Sequence, residues 1–298
     1  MEIPLVTVIV VSYNQGKYIK ENLDSIKAQT YSNIELIIAD DASSDNSVEI
    51  FESWLFDNNM FAKKNFHQKN TGLATVLNEC IELTNGKYIK LIAADDYLDS
   101  ESIEKCVLKL EEKGTDFGMV FSDTYAIDDN SEIINDIANY DNLGNVDPFI
   151  FREKLLENNR IAALTVLMRR DVLIETGKYD SKFIVEDYYR WLKINDKYLI
   201  AYIPNKLAYY RLHDHNISKL KEKKIIEESV ILQILFDKKG KNRKRINDYV
   251  FNNYKNNISF SNYFLNAYKK YFFKSKRLSL AVTNNIPFFI FKLINRIF

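Results

Sequence analysis

Three short runs of consecutive apolar, largely β-branched residues, each followed by a segment of helical period, constrain this chain more than any other feature. Residues 5–11, 34–39 and 88–94 are almost unbroken apolar stretches. Between them Ile19, Leu23 and Ile26, then Val48, Phe51 and Leu55, recur at helical spacing. A second helix is expected to start near Ser44 or Asp45, both good caps, and a third at about Thr71-Gly72. Continuous apolar strands separated by helices predict an α/β fold with a mostly parallel sheet covered on both faces. From about 115 to 218 the pattern mixes. Residues 117–121 and 161–168 read as strands, 149–157 and 187–195 as helices, and 199–203 with 207–212 as a final strand pair. Beyond about 220, charged and aromatic residues at helical spacing predict a helical appendage. The expected division is 1–218 and 219–298.

In such a sheet, ligands bind where the strands reach their carboxyl ends. The first run ends in Ser12-Tyr13-Asn14, with no G-x-G-x-x-G and no P-loop after it. The second ends in Asp40-Asp41-Ala42-Ser43-Ser44-Asp45, and the last in Ala94-Asp95-Asp96. Two strands therefore deliver Asp pairs to one sheet edge. Adjacent carboxylates repel, a cost offset by a divalent cation or by ligand donors. Any one pair could equally serve as a turn or cap, and Asp45 is read as a cap of the second helix. That much reaches a nucleotide- or metal-binding α/β protein.

Composition narrows the class. Lys+Arg and Asp+Glu both total 41 in 298 residues, so no global field attracts nucleic acid, and none is expected as a partner. Cys80 and Cys106 fall on apolar helical faces without metal-like spacing, which fits a reducing compartment. The N-terminal residues carry no basic n-region, and no apolar run reaches the roughly 18–20 residues that cross a bilayer. A cytoplasmic location is expected, peripheral on the inner face of the membrane if the basic tail described below meets lipid.

The ordered motifs Val8-Ile9-Val10-Val11-Ser12-Tyr13-Asn14, Asp40-Asp41-Ala42-Ser43-Ser44-Asp45, Asn70-Thr71-Gly72-Leu73-Ala74 and Gly86-Lys87-Tyr88-Ile89 leading to Ala94-Asp95-Asp96 resemble the family 2 glycosyltransferases of GT-A fold. Gly177-Lys178-Tyr179-Asp180, Glu186-Asp187-Tyr188 and Tyr210-Arg211-Leu212-His213 resemble that family's later motifs, in order. The resemblance covers about residues 4–218 and implies a GT-A, Rossmann-like sheet flanked by helices. By position, it implies that Val11 and Tyr13 line the base pocket and that Asp41 accepts a hydrogen bond from the base, commonly uracil. It makes Asp95-Asp96 the D-x-D element, with Asp95 near the donor's ribose or sugar. Asp96 would be a ligand of Mn²⁺ or Mg²⁺, and His213 would reach the metal or diphosphate. Ala93 stands where many members carry a further Asp, a departure from a three-carboxylate arrangement. Asp187 would be the catalytic base.

The implied chemistry suits these residue types. Inverting transfer needs one carboxylate to take the acceptor proton and a cation to stabilise the departing diphosphate. The expectation is a metal-dependent glycosyltransferase using a nucleotide-sugar, commonly a UDP-sugar, and a saccharide or lipid-linked saccharide acceptor in surface-polysaccharide assembly. The alternatives are a sugar nucleotidyltransferase, which would want a Gly-rich basic loop after the first strand, and a non-catalytic GT-A scaffold. Each site residue also has a plainer role: Asp187 as a helix cap, Trp191 in the core rather than against an acceptor, His213 as a neutral strand histidine. Arg211 is expected to pair with a structural carboxylate, and His67 and His215 to lie on the surface.

Residues 249–298 contain no Asp or Glu and carry a charge of +8, leaving −8 for residues 1–248. From Pro287 onward Phe288, Phe289, Ile290, Phe291, Leu293, Ile294, Ile297 and Phe298 leave Lys292, Asn295 and Arg296 as a narrow polar stripe. Such a helix is expected to meet an anionic membrane surface, or to dock on the protein or on the second chain of a homodimer.

Overall fold

The computed structural model describes residues 3–134, 146–214 and 216–297, with backbone only at 218 and 294–297. The chain forms two compact units, Met1–Leu155 with Arg160–Leu220 and Leu156–Asn159 with Lys221–Phe298. The first contains β1 (Val6–Ser12), α1 (Gly16–Lys27), β2 (Ile34–Asp40), α2 (Ser47–Asp57), β3 (Lys63–Phe66), α3 (Leu73–Glu82), β4 (Tyr88–Ala93) and β5 (Tyr97–Leu98). It continues through α4 (Ser102–Lys113), β6 (Phe117–Ile127), α5 (Pro148–Glu157), β7 (Leu167–Arg169), α6 (Arg170–Glu175), α7 (Glu186–Lys197), β8 (Leu199–Arg211) and α8 (Ile217–Leu220).

One eight-stranded sheet has the order β3-β2-β1-β4-β7-β6-β8-β5. All seven residues of β1 are buried, as a central parallel strand covered on both faces requires. Val6, Val8 and Val10 face a cluster with Ile19, Leu23 and Ile26 of α1, Phe51 and Leu55 of α2, and Ile103 and Leu110 of α4. Helix α3 covers the opposite face, against β1 and β2. The parallel registers run from Val6↔Ile34 to Ser12↔Asp40 and from Val6↔Tyr88 to Val11↔Ala93. β1, β2 and β4 therefore end level. β7 runs antiparallel to both its neighbours and β5 to β8, while the other four pairings are parallel, so the sheet is mostly parallel and matches the expected α/β class.

Three local readings need correction. Residues 161–168 are not one strand but a 3-10 turn, Ala163–Thr165, before the three-residue β7. The expected final strand pair is one strand, β8. Its pairing with β6 jumps from Ser122↔Ile203 to Asp123↔Lys206, so Pro204 and Asn205 bulge out where proline cannot donate to the ladder. Helix α2 starts at Ser47, behind Asn46.

Lys90, midway along β4, is completely buried and its Nζ has no hydrogen-bond partner among the described residues. Burial lowers its pKa to about 8, from 10.5. The unfolded chain then binds more protons than the native one between those pH values, so this residue costs stability at neutral pH and the cost fades as pH rises toward 10.5. Lys90→Met is expected to raise unfolding free energy by about 3 kcal/mol at pH 7. The gain should shrink at pH 10 when denaturant unfolding of both proteins is compared. A Met variant less stable than wild type at pH 7 would contradict this.

The second unit is helical: α9 (Glu222–Phe236), α10 (Arg243–Lys255), α11 (Asn262–Lys270), α12 (Lys276–Thr283) and α13 (Phe288–Ile297). Ser261 and Ser275 cap α11 and α12 by accepting from Phe264 N and Leu278 N. Asp237 accepts from Lys241 N, Asn242 N and the Tyr271 hydroxyl. No helix among the described residues is long and apolar enough to cross a membrane.

Candidate active site

The level carboxyl ends of β1, β2 and β4 build the site. After β2, Asp40 accepts from Ser43 N at 2.7 Å and Ser43 Oγ at 2.6 Å, folding the chain back on itself. Asp41, 4% exposed, then reaches across to the loop before α3. Its Oδ1 accepts from Thr71 N at 2.8 Å and its Oδ2 from Gly72 N at 2.8 Å. Gly72 has φ 87°, in the left-handed region that favours glycine. Asp45 does more than cap one helix. Its carboxylate accepts from Ser47 N at the start of α2 and from Gly16 N at the start of α1. Burial raises its pKa, but these bonds and that from Ser47 Oγ outweigh it and hold the carboxyl below its usual range. A side chain at Gly16 would meet Asn46 Oδ1 at 2.6 Å and Asp45 Oδ2 at 3.2 Å, so it would displace the side chains that join the two helix starts.

After β4, the turn at Ala93–Asp96 is held from α1 by buried Asn22, whose Nδ2 donates to Ala93 O at 3.1 Å and Asp96 O at 2.8 Å. The end of β8 comes alongside. Arg211 N donates to Asp96 Oδ1 at 2.9 Å, and Arg211 Nε to Asp95 O at 2.7 Å. The rest of this fully buried guanidinium donates to Asp128 O, Ser131 Oγ and Glu21, and lies over the Tyr18 ring at 4.6 Å from its centroid. Arg211 thus does pair with a carboxylate, that of Glu21. His213 places Nε2 3.1 Å from Asp95 Oδ2 and stacks on Tyr18 at 5.7 Å. The Tyr18 hydroxyl, pushed to about 12 by burial and by the carboxylate it meets, donates to Asp129.

Asp96 is the electrostatic anomaly. Burial, and then the negative charge of Asp95, push its carboxyl well above the ordinary range. Its Oδ2 makes no hydrogen bond among the described residues. No group of three or more His, Cys, Asp or Glu side chains suited to hold a metal occurs among them either. A hard cation held by one or two carboxylates, its shell completed by water and phosphate oxygens, fits this donor set. The Oδ2 of Asp96 offers such a ligand, with Asp95 and the His213 imidazole beside it.

The strand ends thus bring Asp41, Asp95, Asp96 and His213 to one edge, with Val11 at the end of buried β1 and Tyr13 half exposed beyond it. Asp187 comes from another element. It lies in the first turn of α7, half-buried, with Oδ1 accepting Tyr188 N at 2.5 Å. Trp191, 1% exposed, is core and cannot face an acceptor. His215 lies outside the described residues.

His67 is not on the surface as expected. Its side chain is 10% exposed between two carboxylates, Nδ1 3.0 Å from Asp41 and Nε2 2.6 Å from Glu79. It follows edge strand β3, and His67 N donates to Asp40 O, which is how it reaches a residue 26 positions away. The signal available was its place just before Asn70-Thr71-Gly72.

Comparison with known proteins gives the family and the fold. Residues 7–177 match the sequence profile described as Glycosyl transferase family 2. An uncharacterized glycosyltransferase of Methanocaldococcus jannaschii is 29% identical over 234 residues, 76% of this chain and 77% of the relative. The Escherichia coli UDP-Glc:alpha-D-GlcNAc-diphosphoundecaprenol beta-1,3-glucosyltransferase WfaP is 30% identical over 77% of this chain and 86% of its own. Among solved structures, residues 1–349 of S. aureus TarS in complex with UDP-GlcNAc align with TM-score 0.66 at 15% identity, over 93% of this chain and 83% of that one. That likeness shows the fold, the GT-A form of an α/β sheet.

Proposed function

Because this chain belongs to glycosyl transferase family 2 and is therefore a glycosyltransferase, we propose that it is an inverting, metal-dependent enzyme using a UDP-sugar. The acceptor in this reading is a saccharide or lipid-linked saccharide of a surface polysaccharide. The observation that carries it is Asp96, a 5% exposed residue whose Oδ2 accepts no hydrogen bond among the described residues, beside Asp95 at the edge where β1, β2 and β4 end. WfaP, whose name gives UDP-Glc as donor and a diphosphoundecaprenol-linked sugar as acceptor, supports the donor and acceptor classes.

In this reading the uracil lies against Val11 and the exposed Tyr13 ring and donates a hydrogen bond to Asp41, whose carboxylate also fixes the Thr71-Gly72 loop. Asp95 lies near the ribose or sugar. Asp96, with His213 beside it, would hold Mn²⁺ or Mg²⁺; when bound, the cation supplies charge stabilisation for the departing diphosphate. Arg211 holds the Asp95-Asp96 turn in place through its backbone and side chain. Asp187 takes the proton from the attacking acceptor hydroxyl, so that the oxygen attacks the anomeric carbon as the diphosphate leaves from the opposite side. No separate protein nucleophile is needed.

A panel of nucleotide-sugars incubated with the purified chain and Mn²⁺ tests the donor. Nucleotide release is expected from a uridine diphosphate sugar and little from guanosine or cytidine donors. Release from a guanosine donor alone would overturn the uracil assignment while leaving the family intact.

A further inference from the structure

We propose that the face formed by α11, α12 and α13 is a docking surface for an anionic lipid bilayer. Helix α13 is anchored by one side: Phe288 and Phe291 pack edge-on against Tyr254 of α10, with ring centroids 5.3 and 5.4 Å apart. Its opposite side is left open, with Phe289 66% and Leu293 56% exposed and exposed Lys292 between them. α12 repeats the arrangement. Its buried residues Leu278, Ala281 and Val282 face the unit, while Lys276, Arg277 and Leu280 are exposed. Before it, Phe272 protrudes at 86% exposure just after exposed Lys269 and Lys270.

Apolar side chains and lysines therefore share the exposed side of successive short helices, the pattern of a helix lying in a bilayer interface. Charge decides between occupants. Residues 249–298 carry no carboxylate side chain, so a second copy docked through the same face would bring a like charge, whereas an anionic leaflet is complementary. The ten residues of α13 extend only about 15 Å, half the hydrocarbon thickness, so the contact lies in the interface and does not span it.

The test is co-sedimentation of the full chain with vesicles of phosphatidylcholine alone or mixed with phosphatidylglycerol. Binding is expected only with phosphatidylglycerol, and should be lost as salt shortens the screening length from about 10 Å at 0.1 M to about 3 Å at 1 M. Phe289→Ser with Leu293→Ser, and separately Lys269→Gln with Lys270→Gln and Lys276→Gln, should each lower partitioning about tenfold. Donor turnover in solution should not change, which separates this proposal from the catalytic one. If the serine variant fails to fold, the glutamine variant alone decides. Absence of binding at low salt, or equal binding to neutral vesicles, would overturn the proposal. So would a wild-type dimer in light scattering that the serine variant dissociates, or capture by an acidic protein in place of lipid.

Discussion

Replacing Asp187 by Asn is expected to lower turnover by about 10²–10⁴-fold with little change in donor affinity. The carboxylate acts only when the acceptor hydroxyl gives up its proton, so its contribution of about 3–5 kcal/mol belongs to the transition state and not to the bound donor. Asparagine keeps the side chain's size and the Oδ1 that accepts Tyr188 N–H at 2.5 Å, so the first turn of α7 should be retained. Donor titration beside single-turnover rates separates the two effects. Should donor affinity collapse while turnover per bound donor is preserved, Asp187 would be a binding or capping residue at the start of α7.

Asp96→Asn is expected to reduce activity about 10²–10³-fold and to abolish the dependence of UDP binding on Mn²⁺. The substitution keeps an oxygen for the Arg211 N–H and removes a charge that burial and Asp95 both disfavour. Thermal unfolding should therefore show the fold intact. Loss of activity with a lowered melting temperature would mean that the Arg211 contact, not the cation, was disrupted. Full wild-type turnover in EDTA would contradict the metal assignment outright.

The parts of the fold that residues announce by themselves are those whose environment is uniform. β1, β2 and β4 are legible because strands buried on both faces need unbroken apolar runs, and their level ends put Asp41, Asp95 and Asp96 on one edge. Lys63-Lys64-Asn65-Phe66 carries no such run: as the edge strand β3 it pairs on one side only, with β2. β8 reads as two pieces because Pro204-Asn205-Lys206 breaks the pattern, and only pairing with β6 shows that the strand continues through a bulge. The wiring of the site is less legible still. The bridge of His67 to Asp41 and Glu79, and the reach of Arg211 to Asp95, Asp128 and Glu21, join residues up to 190 positions apart. Contacts of that kind depend on tertiary geometry, and no local period encodes them. Lys90 reads from sequence as a break in an apolar strand, and its burial becomes visible only in the folded sheet.

The most direct measurement joins donor, acceptor and stereochemistry in one reaction. The chain is incubated with Mn²⁺, the UDP-sugar that the donor panel selects and a saccharide acceptor, and the product is examined by mass spectrometry and proton NMR. The expected result is an acceptor heavier by one sugar residue, free UDP, and an anomeric configuration opposite to that of the donor. Retained configuration would contradict the single displacement assigned to Asp187. Release of pyrophosphate from a nucleoside triphosphate, with no sugar moved from the UDP-sugar to the acceptor, would contradict the glycosyl-transfer reading itself.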